Sequence, residues 1–387
     1  IAIYGANASG KSSILEAVGY MRNFVLSGMS DNKQDESIDI PFFKLDSKQQ
    51  EKPTEFKVEF TIDNIRYKYE FSLNSKQVLY EKLSSFPKGV ERVWFLRTWN
   101  ETGYQWGPKS RYFKLKSYHK EVVDSRKNIL FLSVSIELGD NQLKPVYEWF
   151  KNSLKVIPLS AGRGISEGFT AELMMTPGKK SNSIKQIMKS VDFCISEIKA
   201  EEKELEEDDI KKFDFIKNFI NPKVLEAIEK EPNQLKKREL TFIHKNNDDE
   251  PVEFDFNKDE SVGTQRFFAL IGPWLDILEN GHTVLIDEID TSLHPILVRE
   301  MLKLLFSKKY NKKGAQVIFT THNPLLLDSD LLRRDQIWFT EKTSYGETFV
   351  YPLTEYKPRK NEAIAKGYIS GRYGAIPYIP DGLVYDE

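Results

Sequence analysis

Cysteine is nearly absent: Cys194 is the only one in 387 residues. No disulfide framework can form, and a reducing cytoplasm is the natural compartment. Flanked by Phe193 and Ile195, this thiol is expected to be a small core residue. An excess of charge of one sign is also missing. Lysine plus arginine number 56 against 58 acidic residues, a net charge of −2. That near-balance excludes a surface that attracts nucleic acid over its whole extent, while leaving room for a local basic patch. No apolar run approaches the ~18 residues of a membrane span. No secretory leader is visible, no internal repeat is apparent, and the chain opens inside a strand, so a preceding segment is expected. What is present suffices for a core: 40% hydrophobic and 12% aromatic residues, in a length that suits one large or two ordinary domains.

The most informative stretch is IAIYGANASGKSSIL, residues 1–15. Gly5-Ala6-Asn7-Ala8-Ser9-Gly10-Lys11-Ser12 satisfies every fixed position of G-x-x-x-x-G-K-[ST]. Ile1 to Tyr4 is a short apolar run suited to a buried parallel strand. From Ser12 to Met21 the spacing is helical, with Ile14, Leu15, Val18 and Met21 on one face. Between strand and helix, Gly5 and Gly10 let the backbone close around an anion. Loop N–H groups and the helix N-terminus then face phosphate oxygens. Gly5, Asn7, Ala8, Ser9, Gly10, Lys11, Ser12 and Ser13 are the expected ATP-binding residues. Lys11 reaches the β/γ-phosphates and Ser12 offers a hydroxyl to Mg²⁺. A Gly/Ser turn joining a strand to a helix is the plain alternative.

Further along, Asp39 to Asp46 (DIPFFKLD) lies where nucleotide-binding heads often place a γ-phosphate-sensing loop. Gln49 and Gln50 are weak candidates there and read more readily as solvated loop. From Thr54 to Phe113 the period becomes two. Phe56 to Ile62 and Tyr67 to Leu73 alternate around an Asp63-Asn64 turn, and Val78–Leu83, Val93–Trp99 and Tyr104–Phe113 are further strand-like runs. These predict an antiparallel lobe with one wet face. Its lysines and tyrosines suit the solvent face of a meander better than a binding platform. Asn128 to Val134 is a buried run, Asn141 to Phe150 is helical, and Leu154 to Leu159 reads as a strand. Residues 161–250 turn polar and charged and are expected to form a helical lid, loosened at Gly162, Gly164 and Gly168. The acidic run Glu201 to Asp209 reads as a solvated helix face or loop. Leu235 to Lys245 brings four Lys/Arg together. The insert is too short and irregular for a coiled-coil arm. Ala315 to Thr321 is a buried strand, and Gln336–Phe339 and Thr348–Tyr351 pair around Gly346.

Val284-Leu285-Ile286-Asp287-Glu288 is an apolar strand ending in two carboxylates. In a parallel sheet such strand ends face the ligand. Asp287 is therefore the expected Mg²⁺-shell carboxylate, and Glu288 the catalytic base that polarises water. Ahead of it, Glu260-Ser261-Val262-Gly263-Thr264-Gln265-Arg266 resembles the signature motif of ABC-type ATPases, with Val262 where a glycine is usual. Asp290-Thr291-Ser292-Leu293-His294-Pro295 follows as a D-loop does. His322, after AQVIFTT, matches the switch histidine, which can contact γ-phosphate. In wording, DIPFFKLD, TQRFFAL, LIDEIDTSLHP, TTHNPLLLD and the tail GYISGRYGAIP resemble the AAA-domain, ABC-type (SMC/OLD-like) ATP-binding proteins of prokaryotic abortive-infection, anti-phage modules.

The resemblance implies an α/β P-loop NTPase of ABC-head type, with an antiparallel β lobe and an inserted helical lid. Residues 1–160 would be the N-terminal half of the head, 161–250 the insert, and 251–387 the C-terminal half and tail. It implies Mg²⁺ and ATP, catalytic roles for Glu288 and His322, and a trans signature of Ser261, Gly263 and Gln265 with Asp290 in the D-loop. The implied partners are a second copy, in an ATP-dependent dimer or higher oligomer, and an effector such as a TOPRIM-type nuclease or toxin. No membrane partner is expected, and nucleic acid is not indicated. An SMC/RecF-like DNA-repair ATPase is the main alternative, but it wants a long coiled coil or a basic groove. A transporter cassette wants a standard signature. An OLD-type nuclease wants acidic metal ligands after Asn323, and none is obvious.

Overall fold

The computed structural model describes all residues except 30, 32, 35, 47–51, 109, 158–166, 192–193, 205–235, 360–361 and 378–387. Gln49, Gln50, Gly162, Gly164 and the acidic residues 205–209 lie outside the described residues. In chain order the elements are β1 (Ala2–Gly5), α1 (Lys11–Leu26), β2 (Thr54–Ile62), β3 (Ile65–Leu73), β4 (Val78–Phe86), β5 (Arg92–Asn100) and β6 (Gly103–Trp106). Next come α2 (Ser117–Asp124), α3 (Phe131–Glu137), α4 (Lys144–Glu148) and β7 (Leu154–Ile157). There follow α5 (Gly168–Met175), α6 (Lys179–Ser190), β8 (Ile195–Glu204), β9 (Lys236–Lys245), β10 (Pro251–Asp255) and α7 (Val262–Asn280). The chain continues through β11 (Thr283–Ile286), α8 (Pro295–Phe306), β12 (Gln316–Thr320), β13 (Ile337–Lys342), β14 (Thr348–Pro352) and α9 (Ile364–Ile369).

Two compact units result, 1–158 with 282–288 and 316–387, and 159–281 with 289–315. The stretch 251–387 is thus divided between them. The first unit carries a six-stranded sheet in the order β14-β13-β1-β12-β11-β7. All neighbours are parallel except the β13–β14 pair. Strands β1 and β11 are almost wholly buried, as the continuous apolar runs require of strands covered on both faces. The expected antiparallel lobe is also present, as a β2-β3-β4-β5-β6 meander. Asp63 and Asn64 turn its first hairpin with φ of 48° and 62°, the left-handed pair that a two-residue hairpin needs. Helix α1 packs on this lobe through rings: Tyr20 stacks on Phe56 at 5.5 Å, and Phe24 meets Phe71 at 5.8 Å.

The lobe's core is not purely apolar. Glu81 on β4 lies directly opposite Arg97 on β5, and both are fully buried with a 2.8 Å Nε–Oε2 contact. Glu81 also accepts the Tyr69 hydroxyl at 2.8 Å and the backbone N–H groups of Phe131 and Leu132 at 2.7 and 3.0 Å. Arg97 donates to the Ile129 carbonyl at 2.6 Å. The pair therefore ties the lobe to the start of α3. Burial first, then the Glu81 carboxylate, holds the Tyr69 phenol well above its ordinary range.

The second unit corrects the expectation of a helical lid. Helices α5 and α6 are there, but β8, β9 and β10 form a three-stranded antiparallel sheet. Ile198 faces Phe242 across the ladder, and both are buried. Charges of opposite sign also meet along the ladder: Glu202 is opposite Arg238, and Lys203 pairs with Glu239. Each strand alone looks too charged to be a strand. Their complementarity is long-range and leaves no local period. Cys194 is likewise not a core residue; it is exposed, at φ 52° just before β8.

Gly272-Pro273 is expected to kink its helix, yet α7 runs unbroken from Val262 to Asn280 with Pro273 inside. Proline leaves the Ala269 carbonyl without its helical donor. The Thr170 hydroxyl donates to that carbonyl at 3.3 Å and accepts the Gly272 N–H at 3.2 Å. A Cβ on Gly272 would stand 2.3 Å from Thr170 Oγ1. Glycine thus lets α5 approach closely enough to replace what proline removes.

Candidate nucleotide site

In the first unit, β1 delivers the phosphate loop and α1 leaves it. Gly10 is the N-cap of α1 in the left-handed region, at φ 98°, and no side chain caps the helix. Such a start presents N–H groups and dipole to an anion. Lys11 opens α1 and is only 6% exposed. Its ammonium donates to the Gly5 and Ala6 carbonyls at 3.1 and 3.0 Å. Ser12 is half-buried, while Asn7, Ala8 and Ser13 are exposed.

A layer behind the loop is not foreseen by the motif. Ser9 Oγ lies 2.6 Å from Thr340 Oγ1, which also donates to the Tyr4 carbonyl at 3.2 Å. Thr348 donates to the Ser9 carbonyl at 3.1 Å. A Cβ on Gly5 would come within 2.2 Å of Thr340 Oγ1, and one on Gly10 within 2.1 Å of Thr348 Oγ1. Here the two glycines are needed as much for the β13–β14 hairpin pressed against the loop as for an anion in front of it. The tail motif supports the same strand. Tyr368 meets Tyr4 edge-on at 5.4 Å, and Tyr373 stacks on Phe339 at 5.9 Å. Glu341 accepts the Ala375 N–H.

The strand that leads into the two carboxylates, β11, ends on the same side of the sheet as β1. Ile3 is level with Thr320, and Ile286 with Phe319, so β12 separates β1 from β11. Asp287 is 8% exposed. Its Oδ1 accepts the Thr320 hydroxyl at 2.6 Å, and Thr320 Oγ1 accepts the Glu288 N–H at 2.7 Å. Thr320, fully buried, thereby fixes the Asp287 carboxylate and the backbone of Glu288 at once. Glu288 is half-buried, with φ 46°, a turn that takes the chain sharply out of β11. His322 is exposed just past β12. The neighbouring Asn323 carbonyl accepts the Tyr4 hydroxyl at 3.1 Å, so this loop is tied to the phosphate-loop strand. A hydroxyl and a carboxylate are hard oxygen donors. Such a set fits Mg²⁺, which usually takes one or two carboxylates besides water and substrate phosphates.

In the second unit the signature opens α7. Ser261 is its N-cap, accepting the Thr264 N–H at 3.1 Å. Gln265 turns inward, donating to the Phe256 and Glu260 carbonyls at 2.8 and 3.1 Å. His244 on β9 lies 2.6 Å from the Glu260 carboxylate, which ties the inserted sheet to the residue before Ser261. The D-loop adjoins the signature: a Cβ on Gly263 would stand 3.1 Å from the Ser292 carbonyl. The Asp290 Oδ1 atom is buried without a hydrogen-bond partner.

A family profile described as "AAA domain, putative AbiEii toxin, Type IV TA system" matches residues 1–328. The chain belongs to this family. It therefore carries an AAA/ABC-type P-loop ATPase domain, in line with the parallel sheet and phosphate loop above. No curated protein matches it. Among solved structures, it is similar to an SMC head bound to the C-terminal winged-helix domain of ScpA. The identity is 14%, over 91% of this chain and 89% of that one, at a TM-score of 0.35. It is also similar to cbiO1 from Clostridium perfringens, part of the ABC transporter complex cbiONQ. There the identity is 16%, over 59% of this chain and 67% of that one, at a TM-score of 0.23. At such scores neither structure says anything further about this family member. No helix among its described residues is long and apolar enough to cross a membrane.

Proposed function

We propose that the chain binds ATP with Mg²⁺ and hydrolyses it at sites shared between two copies, acting as the sensor or regulatory subunit of a cytoplasmic abortive-infection system. The observation that carries this reading is the placement of Lys11 after β1 and of Asp287 and Glu288 after β11, on one sheet edge with only β12 between. Gly5 to Ser13 wrap the phosphates, with Lys11 as the charge on the β/γ-phosphates. Ser12 and Asp287 would hold the metal ion, which, when bound, neutralises charge on the phosphoryl group. Glu288 positions and deprotonates water, and His322 contacts the γ-phosphate. Ser261, Gly263 and Asp290 act on the nucleotide of the other copy. Gln265 holds the signature turn through the carbonyls it already binds. The output is a conformational signal to an effector such as a TOPRIM-type nuclease or a toxin. The family description, with its AbiEii toxin and type IV TA system, supports the abortive-infection setting of this reading.

The test is Mg²⁺-dependent phosphate release and equilibrium ATP binding by the full chain. Lys11→Ala is expected to lose binding. Glu288→Gln is expected to bind ATP but turn over about 10²–10⁴-fold more slowly. Unchanged binding in the first variant, or wild-type turnover in the second, overturns the site. The regulatory reading is tested separately in cells carrying the gene with its neighbouring reading frame. Phage protection that survives Glu288→Gln and Lys11→Ala alike overturns it.

A further inference from the structure

On the antiparallel lobe a cavity of about 490 Å³ is built from residues that none of the site motifs uses, among them Trp94, Trp106, Phe113, Lys114 and Lys120. Its size lies in the range of small-molecule sites. Trp94 reaches it because of a β-bulge. Leu83 is level with Phe95 and Ser84 with Val93, so Trp94 is the extra residue of β5. Bulges re-aim side chains in this way. Both indole N–H groups are already engaged. Trp94 donates to Ser85 Oγ at 2.9 Å, and Trp106 to the Asp124 carboxylate at 3.1 and 3.2 Å. The rings are thereby locked, and what they offer the cavity is apolar surface and π faces. Phe113, 3% exposed, lies nearly parallel to Trp94 at 6.1 Å and backs this wall.

The rim is cationic. The Lys120 ammonium sits 5.7 Å from the Trp106 ring centre, and Lys114 is exposed. In sequence, residues 107–120 contain Lys109, Arg111, Lys114, Lys116 and Lys120 and no acidic residue, within a chain of net charge −2. Rigid aromatic walls with ammonium groups at the mouth recognise one kind of ligand well: a planar ring that carries an anionic group. We propose that this cavity binds a nucleoside phosphate, its base against the indole walls and its phosphate on Lys114 and Lys120, at a site separate from the phosphate loop. The nucleotide can arrive free or as a residue of a single strand, since both present the same chemistry.

Calorimetry on the full chain tests this in a Lys11→Ala background, which removes the phosphate-loop charge. The titrants are AMP, GMP and UMP, and in a second arm a short oligothymidylate. Saturable, salt-weakened binding at one site per chain is expected. Trp94→Ala should raise Kd by about 5- to 100-fold, the loss that stacking on one ring carries, and Trp94→Phe should restore most of it. Lys114→Glu, an exposed change that leaves the fold alone, should raise Kd about 10-fold by reversing a phosphate contact. That pattern with mononucleotides assigns a free ligand; the same pattern with the oligonucleotide alone assigns a strand. No binding in either arm, or binding indifferent to both Trp94→Ala and Lys114→Glu, overturns the proposal.

Discussion

At the scale of single residues, two threonines and one ion pair stand out. Thr320 donates to Asp287 and accepts from the Glu288 backbone, so its hydroxyl orients a carboxylate without touching substrate. Partners of this kind typically change metal affinity or activity by about 10–100-fold. Thr320→Val keeps the shape and loses both contacts. We expect ATP turnover to fall about 10–100-fold, with more Mg²⁺ needed for half-maximal rate. A wild-type Mg²⁺ titration would make the hydroxyl incidental. Thr340 does similar service behind the phosphate loop, through Ser9 and the Tyr4 carbonyl. The ion pair is Glu81–Arg97. Removing one partner of a buried pair leaves an uncompensated charge and costs about 3–5 kcal/mol. Glu81→Ala is expected to lower the urea midpoint accordingly, whereas Glu81→Leu with Arg97→Met recovers most of the loss. If the single and double variants unfold alike, the network does not support the lobe. Neither residue stands apart in the sequence, because alternation in a strand assigns charged positions to the wet face.

At the scale of elements, α7 shows how one helix answers to its neighbour. Pro273 ought to break it, and Gly272 ought to loosen it. Thr170 on α5 supplies a donor to the Ala269 carbonyl and an acceptor for the Gly272 N–H, and the helix continues to Asn280. The signature serine caps the far end of this helix. Thr170→Val would leave a buried carbonyl unpaired, at about 1–3 kcal/mol. A lower thermal midpoint is expected, and weaker ATP hydrolysis if Ser261 shifts. An unchanged midpoint would show that the helix passes Pro273 without an outside partner. The inserted sheet teaches the same lesson. Strand β8 is rich in acidic residues and β9 opens on basic ones in the sequence, and their partnership shows only in the ladder, where Ile198 meets Phe242 and Glu202 meets Arg238.

At the scale of the whole molecule, the motifs fall into two units. The phosphate loop, Asp287, Glu288 and His322 belong to the first, and Ser261, Gly263 and Asp290 to the second. The trans reading predicts how two damaged copies behave together. A Lys11→Ala chain lacks the phosphate contact, and a Ser261→Arg chain lacks the signature. In a head-to-tail pair, one composite site combines intact Lys11 from one chain with intact Ser261 from the other. Mixing the two inactive variants should restore part of the ATPase activity, with ATP-dependent pairing visible by light scattering. Pairing without any rescue, at every mixing ratio, would show that each site is completed in cis.

Local chemistry determined much of this protein without reference to the fold. The loop from Gly5 to Ser12 was legible because Gly, Lys and Ser at fixed spacing have one common use beside a strand and a helix. The parallel strands were legible because unbroken apolar runs must be covered on both faces, and the first hairpins because Asp63-Asn64 tolerates positive φ. What only the tertiary structure decided were pairings between distant residues. These are Glu81 with Arg97, β8 with β9, Thr170 with the gap left by Pro273, and Thr320, Thr340 and Thr348 behind the site residues. A threonine in a strand looks the same whether its hydroxyl meets water or a carboxylate. Its partner lies up to hundreds of residues away, and only the folded chain brings the two within hydrogen-bond reach.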